Sequence, residues 1–332
     1  MLRHALIQIL GALAALSTCL GSPEDLTVVT YNLQNYLLEP LPSRAAKPVD
    51  RRERIVEMLK PLQPDVLVVE EIGGLDAVED LKSRLAATGI ELPHHEIVWG
   101  SDPAIAVAAM SRFPFVSRRS HSNDTILAEG RLLRTSRGFL EVEIEGPAGF
   151  RFTLLAAHLK SKRETGTPSE ASIREAEARV LRRHVDTLLE RDPRARIVVA
   201  GDLNDHQDSR PLRLLKSRGP RALFDLRPHE RSMGHRTDSS GPTDSATWTH
   251  HYAKEDSYGR FDYILVSSSL RSHWRPEATF LPALPGWSTA SDHRPVVATF
   301  GVAPRGTGSR RRRPVHRLAV HRLTARRRTR GS

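Results

Sequence analysis

The sequence has little cysteine, few aromatic residues and no hydrophobic segment long enough to cross a membrane. Cys19 is the only cysteine among the 332 residues, so no disulfide can form within the chain. An apolar run over residues 5–16 is too short to span a bilayer. Aromatic residues make up 5% of the chain, and this content does not distinguish a nucleic-acid substrate from a lipid.

Most of the chain also lacks an excess of charge. The formal net charge is +11, yet eleven of the 50 basic residues are arginines between Arg305 and the C terminus, where no acid occurs. Residues 1–304 hold 39 basic and 39 acidic side chains, so the net charge does not identify what the folded part binds. The tail, residues 303–332, is predicted to be a disordered extension or, alternatively, a basic arm that binds polyanions or an anionic surface.

The N-terminal segment, residues 1–22, resembles an export signal. Arg3 and His4 precede the apolar run, and small residues follow it. The tetrapeptide "LSTC", which ends at Cys19, also resembles a lipoprotein cleavage site. We therefore predict a secreted, periplasmic or cell-surface protein, with lipidation at Cys19 and an uncleaved anchor as alternatives.

Strand-like apolar runs recur over residues 25–302 without a fixed repeat or an internal linker, and we interpret this part as one domain. The runs are "LTVVTY", "DVLVVEE", "AIAVAAM", "FLEVEIE", "FTLLAAH", "RIVVAGD", "FDYILVS" and "PVVATF". Both alternating and continuously apolar runs occur, so we expect mixed sheets covered by helices.

Three helices are predicted between these strands. Apolar residues at helical spacing indicate helices near 51–62 and over "LDAVEDLKSRLAA". The third begins at "TPSE", with Thr167 as the expected N-cap, and ends near Leu189. The stretches 161–172 and 231–246 are expected to be long polar surface loops.

Polar residues recur where predicted strands end or begin. Because such ends meet at an edge of a sheet, we expect their side chains to line a shared polar cleft. The residues are Asn32, Glu70, Glu71, His158, Asp202, Asn204, Asp262, Asp292 and His293.

Together, the blocks "VVTYNLQN", "DVLVVEEI", "AAHL", "GDLND", "GRFDYIL" and "SDHRPV" resemble the endonuclease/exonuclease/phosphatase superfamily, the metal-dependent phosphoesterases related to pancreatic-type deoxyribonuclease. The resemblance covers residues 26–300, with the blocks in the expected order. It implies an α/β (α+β) fold, a four-layered sandwich of two packed mixed β-sheets flanked by helices. The site is then expected where loops meet at one edge.

The resemblance implies a metal site formed by Asn32, Glu71 and Asp292. Oxygen ligands of this kind suit Mg²⁺, with Mn²⁺ or Ca²⁺ as alternatives. In this alignment Glu70 occupies the position directly before the metal-binding glutamate, where the family usually has an amide side chain. Glu70 itself is expected to be a surface residue at a strand edge.

The resemblance also implies the catalytic roles. Asp202 resembles the residue that orients or deprotonates the attacking water, and Asn204 resembles a neutral donor to a phosphate oxygen. His293 would meet the phosphoryl group, with its other ring nitrogen fixed by Asp262. His158 resembles a second histidine that donates to a phosphate oxygen or to the leaving group.

Other polar residues carry weaker expectations. Four side chains are candidates for substrate contacts, with the tryptophan as the floor of the cleft: Arg137, Lys160, Lys162 and Trp248. Asp205 is expected to be a turn or cap residue. His250 and His251 are expected to be solvated.

The sequence favours an exported, divalent-metal-dependent phosphodiesterase, specifically a nuclease that hydrolyses DNA or RNA by in-line attack of water. The sequence shows no motif that would contact base edges, so cleavage is expected to be independent of base sequence. One alternative is a phosphatase or lipid phosphodiesterase that uses the same core on inositol phosphates or sphingomyelin-type head groups. Another is a non-catalytic nucleic-acid or surface binder that acts through its basic tail. No obligate protein partner is evident.

Overall fold

The computed structural model describes residues 25–164, 166–232 and 246–302. The predicted signal segment with Cys19, the arginine-rich tail and most of the polar stretch 231–246 lie outside these ranges. The strands, in chain order, are β1 (Asp25–Tyr36), β2 (Val66–Ile72), β3 (His94–Val98), β4 (Ala106–Ser111), β5 (Phe115–Arg118), β6 (Thr125–Ala128), β7 (Arg131–Arg134), β8 (Leu140–Glu145), β9 (Arg151–Ala156), β10 (Ile197–Asp202), β11 (Leu223–Asp225), β12 (His229–Ser232), β13 (His250–Tyr252), β14 (Ser257–Gly259), β15 (Asp262–Ser267), β16 (Phe280–Ala283) and β17 (Val296–Gly301).

Thirteen of these strands form two mixed sheets. The first has seven strands in the order β12-β16-β17-β1-β2-β4-β3, and the second has six in the order β11-β15-β10-β9-β8-β5. The hairpins β6–β7 and β13–β14 form separate two-stranded sheets. All eight apolar runs lie in the two large sheets, as predicted.

The helices are α1 (Val49–Leu59), α2 (Leu75–Ala86), α3 (Glu170–Arg191), α4 (Arg210–Lys216), α5 (Ser268–Arg271) and α6 (Trp287–Ala290). The three predicted helices correspond to α1, α2 and α3. The predicted N-cap of α3 is wrong, because the Ser169 hydroxyl, not that of Thr167, accepts the Ser172 amide at 3.3 Å. Across the described residues, no helix combines the length and the apolar character that a membrane span requires.

Alternation of side chains along the central strands produces the four layers. One set packs between the two sheets, for example Val68 from the first sheet against Ile264 from the second. The opposite face of the first sheet packs on α1 and α2 through residues such as Leu67 and Leu59. The outer face of the second sheet packs on α3 and α4 through residues such as Val199. Complete burial of each such aliphatic side chain contributes roughly 1.5–3 kcal/mol. The predicted four-layered sandwich is confirmed.

Strand direction explains why the polar residues meet at one edge. β1 is parallel to β2, and β9 is parallel to β10, so each pair ends at the same edge of its sheet. β17 is antiparallel to β1 and β15 is antiparallel to β10, so these two strands begin at those edges. Asn32 near the end of β1 donates to Asp202 at the end of β10 at 3.0 Å, which joins the two edges directly.

Gly201, immediately before Asp202, permits a close contact between β10 and the residues after β9. Its φ is +136°, and a Cβ placed there would lie 2.0 Å from the Ala157 carbonyl oxygen. The main chain beside Asp202 therefore cannot take this path with a larger residue.

We predict that Gly201→Ala lowers the free energy of unfolding by roughly 3 kcal/mol or more, because it adds a main-chain clash to an unfavourable φ. Gly89→Ala is the matched control, since Gly89 has a φ of +88° with nothing within 4 Å of the added Cβ. That variant should lose only about 1 kcal/mol. Urea denaturation measures both, and equal losses would contradict the role assigned to the close contact.

Candidate active site

Asp202 lies at the centre of the polar edge. It is buried, and its two carboxylate oxygens accept the Asn32 side-chain amide at 3.0 Å and the Asn204 backbone amide at 2.9 Å. Burial raises the pKa of Asp202 to about 7, with the His293 imidazolium opposing that rise. A carboxylate in this range can exchange a proton with water near neutral pH, as a general base does.

His293 contacts Asp262 on one side of Asp202. The distance between His293 Nδ1 and Asp262 Oδ2 is 2.8 Å, and His293 Nε2 lies 3.7 Å from Asp202 Oδ2. Burial alone would lower the pKa of His293, but Asp262 and Asp202 outweigh it and raise that pKa well above its ordinary value. The ring is therefore an imidazolium whose Nε2–H is directed towards the Asp202 side of the site.

His158 approaches the same oxygen of Asp202 as His293 does, but its ring is neutral. Its Nε2 is 3.7 Å from Asp202 Oδ2, and its Nδ1 is buried without a hydrogen-bond partner in the described part of the chain. Burial, followed by the Arg137 guanidinium, lowers the pKa of His158 well below its ordinary value. Asp202 Oδ2 is thus at the same distance from a neutral and from a charged imidazole.

Asn204 positions the neighbouring main chain. Its φ of 51° is left-handed, and its side-chain amide donates to the Leu159 carbonyl at 3.0 Å. This contact ties the residues after β10 to those that follow His158. The structure therefore shows a positioning contact for Asn204, whereas the expected contact to a phosphate oxygen stays a prediction.

The expectation for Glu70 is wrong. Glu70 is completely buried, and its carboxyl group accepts the Thr30 hydroxyl at 2.8 Å. Residues at even positions of β2, such as Val68, face the gap between the sheets, and Glu70 shares their parity. Burial, with added repulsion from Asp262, raises the pKa of Glu70 well above its ordinary value, so this carboxyl group is neutral.

Glu71 lies on the other side of a bulge at the end of β2. Its φ of 62° and the register shift between Glu70 and Ile72 turn its side chain towards the segment that runs from Gln34, where the pairing of β1 with β2 is irregular, to α1. We call this segment the loop after β1. There its carboxylate accepts the Asn35 amide at 2.9 Å. Only Glu71 of the adjacent pair is therefore available to a cation in this loop.

Asn32 and Asp292 are joined to the same loop. Asn32 Oδ1 accepts the Gln34 amide at 3.0 Å, and the hydroxyl of Ser291, next to Asp292, donates to the Asn32 carbonyl at 2.8 Å. Burial alone would raise the pKa of Asp292, but His250 and His293 outweigh it and lower that pKa. Asp292 is therefore ionised.

The loop also holds an ammonium group. Lys47 is buried and donates to the Gln34 carbonyl at 3.1 Å. Burial lowers the pKa of Lys47 to about 8, while Asp292 and Glu71 act in the opposite direction. Lys47 is therefore close enough to Asp292 and Glu71 for both carboxylates to act on it, and carboxylate and amide oxygens such as those of Asp292, Glu71 and Asn32 are the ligands that a hard divalent ion prefers.

His250 was expected to be solvated, and this is wrong. Its ring packs on that of His293 at 4.5 Å between centroids, and its Nε2 is 3.8 Å from Asp292 Oδ2. The hairpin β13–β14 brings it there, because residues 250 and 293 form a backbone bridge. A pair of adjacent histidines gives no sequence signal for such a contact.

Trp248 lies beside the site within a cluster of rings. The Arg294 guanidinium lies 3.6 Å from its ring centroid, and the Tyr258 and Trp287 rings pack at 4.9 and 5.0 Å. Arg294 directly follows His293, so this cluster borders the cleft on the His293 side.

Three cations expected to contact substrate have different surroundings. Arg137 is buried, with Nη2 3.3 Å from Asp102 Oδ2, while Lys160 joins the site through its backbone amide, which donates to Glu177 at 2.6 Å. Lys162 lies 3.1 Å from Asp205 Oδ1. Asp205 accepts the His206 backbone amide at 3.0 Å, which fits the expected turn role, and it also binds Arg174 at 3.0 Å, so its carboxylate joins two cations.

Comparison with known proteins gives a family match and several similar folds. The model of the endonuclease/exonuclease/phosphatase family matches residues 29–293. No curated protein matches the sequence. The solved structure of the human Nocturnin catalytic domain with a bound sulfate anion has a TM-score of 0.58 and 18% identity, covering 85% of this chain and 96% of that domain.

Two bacterial structures are similar to a comparable degree. Sphingomyelinase C from Streptomyces griseocarneus has a TM-score of 0.58 and 18% identity, covering 84% of this chain and 100% of that one. An endonuclease/exonuclease/phosphatase protein from Beutenbergia cavernae has a TM-score of 0.55 and 22% identity, covering 84% and 72% respectively. At these identities the similarity supports the fold alone.

We predict that Glu70→Gln becomes more stable relative to the wild type as the pH rises. The bound proton of Glu70 favours the folded state, because its folded-state pKa is raised above the ordinary 4.5, and this contribution is lost as the pH rises beyond 4.5. The difference in the free energy of unfolding should shift in favour of glutamine by more than about 1.4 kcal/mol between pH 5 and 8.

Urea denaturation of both proteins at the two pH values measures this shift. Glu190→Gln, which removes an exposed carboxylate paired with Arg221, is the matched control. A difference between Glu70→Gln and the wild type that stays constant with pH would mean that Glu70 is ionised in the folded protein.

Proposed function

The chain belongs to the endonuclease/exonuclease/phosphatase family of phosphoester hydrolases, and on that premise we propose that it is an exported nuclease that hydrolyses DNA or RNA with a divalent metal ion, Mg²⁺ by preference. One observation carries the proposal. One oxygen of Asp202, whose pKa is raised to about 7, lies 3.7 Å from Nε2 of a neutral His158 and 3.7 Å from Nε2 of a charged His293. This arrangement pairs a proton acceptor with a proton donor at one edge of the sandwich.

The residues divide the chemistry of phosphodiester hydrolysis between them. Asp202 accepts a proton from the attacking water and fixes its direction of approach. The His293 Nε2–H donates a hydrogen bond to a phosphate oxygen, and its charge offsets the negative charge that builds up during attack. Asp262 keeps His293 protonated through its bond to Nδ1. Neutral His158 donates to a second oxygen or to the leaving group.

Asn32, Glu71 and Asp292 are the residues that would hold the metal ion. When bound, the ion supplies positive charge next to the phosphate oxygens. The Lys47 ammonium donates to the Gln34 carbonyl, and the Glu71 carboxylate accepts the Asn35 backbone amide. The loop after β1 therefore orders the ligands before an ion arrives.

A lipid phosphodiesterase is the second candidate. The fold is as similar to a sphingomyelinase C as to any structure described above. In addition, the rings of Trp248, Tyr258 and Trp287 form an aromatic cluster beside His251, and 52% of Tyr258 is exposed. Such a cluster fits the interfacial region of a membrane as well as a nucleobase.

The test uses the purified full chain with Mg²⁺ or Mn²⁺. A nuclease degrades single-stranded DNA, plasmid DNA or RNA, and a chelator stops the reaction. Release of phosphocholine from sphingomyelin vesicles without any cleavage of nucleic acid would replace the proposal with the lipid enzyme. The absence of both reactions would contradict both assignments.

We predict that Asp202→Asn or His293→Ala lowers kcat by at least ~10²-fold, the size expected for acid–base and electrostatic groups. Asp186→Asn, which removes a carboxylate paired with Arg182 on α3, is the control and should retain full activity. Steady-state kinetics on one fluorescent oligonucleotide compares all three. Wild-type turnover in Asp202→Asn would remove the role assigned to Asp202.

We also predict that Glu71→Gln abolishes stabilisation by metal, whereas Glu70→Gln retains it. The reason is that Glu71 faces the loop after β1, while Glu70 is buried between the sheets. Thermal unfolding checks this, since a ligand that binds only the folded state raises Tm. Each protein is unfolded without metal and with Mn²⁺ at about ten times the concentration that gives half of the maximal rise in Tm of the wild type. The opposite result would make Glu70 the metal-binding residue.

A further inference from the structure

Two arginines share one carboxylate on the His158 side of the cleft. Arg44 Nη2 and Arg137 Nη2 each lie 3.3 Å from Asp102 Oδ2. Arg44 comes from the loop between β1 and α1, and Arg137 precedes β8. Asp102 is held in place by its backbone amide, which donates to the Ser136 carbonyl at 3.0 Å.

Hydrogen bonds connect both arginines to the candidate active site. Arg44 donates to the side-chain oxygen of Asn35, whose backbone amide binds Glu71 at 2.9 Å. On the other flank, the Glu177 carboxylate accepts the backbone amides of Ser136 and Lys160 at 2.7 and 2.6 Å. Ser136, which precedes Arg137, and Lys160, which lies two residues after His158, are thus both bound to the Glu177 carboxylate.

The electrostatics agree with this placement. After burial, the Arg137 and Arg44 guanidinium groups are among the causes that lower the pKa of His158. Within the described residues, no hydrogen bond or ion pair joins either arginine to Asp262, Asp292 or His293. The arginines are therefore electrostatic neighbours of His158.

The guanidinium groups of this pair are not fully hydrogen-bonded. Asp102 is the carboxylate within ion-pair distance of both guanidinium groups, Glu177 also acts on Arg137, and Arg137 Nε is buried without a hydrogen-bond partner in the described part of the chain. The Arg137 side chain is 7% exposed and that of Arg44 is 25% exposed, so the pair is partly desolvated but still open to a ligand. Paired guanidinium groups of this kind match the oxygens of a phosphate, which they bind through two parallel hydrogen bonds.

We propose that Arg44 and Arg137, held by Asp102, form a second phosphate subsite next to the catalytic centre. This inference rests on the proposed phosphodiesterase function. The subsite takes a phosphate that neighbours the scissile one in the same substrate, as in a polynucleotide chain. A choline phospholipid, which has one phosphate and a cationic head group, cannot fill it.

The test compares dinucleotides that share one scissile bond. Full-length protein with Mg²⁺ is assayed on d(TpT), on d(pTpT) and on d(TpTp). We expect at least one phosphorylated dinucleotide to have a kcat/KM about tenfold or more above that of d(TpT), the size of a charge-assisted hydrogen bond. In Arg44→Gln this preference should fall to less than about twofold.

Two further variants separate the subsite from a general loss of folding or charge. Arg44→Lys keeps the charge but not the planar fork, and its preference should be intermediate. Arg179→Gln, which removes an exposed arginine paired with Glu175 on α3, should keep the wild-type preference. Because the readout is a ratio within each protein, a partly unfolded preparation does not change it.

Binding without turnover provides an independent readout. Thymidine 3′,5′-bisphosphate should inhibit the wild type about tenfold more strongly than thymidine 5′-monophosphate or thymidine 3′-monophosphate, and Arg44→Gln should remove this difference. Cleavage of d(TpT) without any preference for a neighbouring phosphate, or a preference that survives in Arg44→Gln, would overturn the subsite alone. Failure to cleave any nucleotide substrate would instead overturn the proposed function.

Discussion

The hydrogen bond between His293 and Asp262 is the contact on which the candidate site depends. Glu70, Asp202 and Asp262 are all buried at the same edge, and an isolated ionised carboxylate is costly in such surroundings. The imidazolium of His293 meets two of these acids, at 2.8 and 3.7 Å. Glu70, which lies deeper between the sheets, keeps its proton instead. This one cation therefore offsets part of the cost of burying carboxylates at this edge.

The fold supplies this arrangement through rigid strand ends and a few unusual backbone positions. Parallel strands end, and antiparallel strands begin, at the edge where Asn32 meets Asp202. Non-glycine residues with positive φ occur at this same edge, at Gln34, Asn35, Glu71 and Asn204. Left-handed backbone of this kind is unfavourable and persists where surrounding contacts hold it. At Glu71 it separates two adjacent glutamates into different environments, one between the sheets and one in the loop.

Much of this could be predicted from the sequence, because strand ends and apolar periodicity are local signals. The eight long strands and the three longer helices follow from such patterns, whereas the four-layered arrangement was expected from the family resemblance. Short strands such as β11 and β13 have three residues each, too few for a periodic signal. The surface expectation for Glu70 fails because its residue type gives no sign of burial at an inward-facing position of β2. The bulge that places Glu71 in different surroundings cannot be read from neighbouring residues either. His250, Lys47 and Arg44 reach the site through tertiary contacts that their own segments do not encode.

The most direct test of this account is the protonation state of His293 in the metal-free protein. Nitrogen-15 NMR of the imidazole rings, with His293→Gln to assign the signal, follows each histidine as the pH changes. The account predicts that His293 stays an imidazolium well above pH 6.5 and that Asp262→Asn lowers its pKa by more than about one unit. A pKa of 6.5 or less for His293, unchanged in Asp262→Asn, would contradict it.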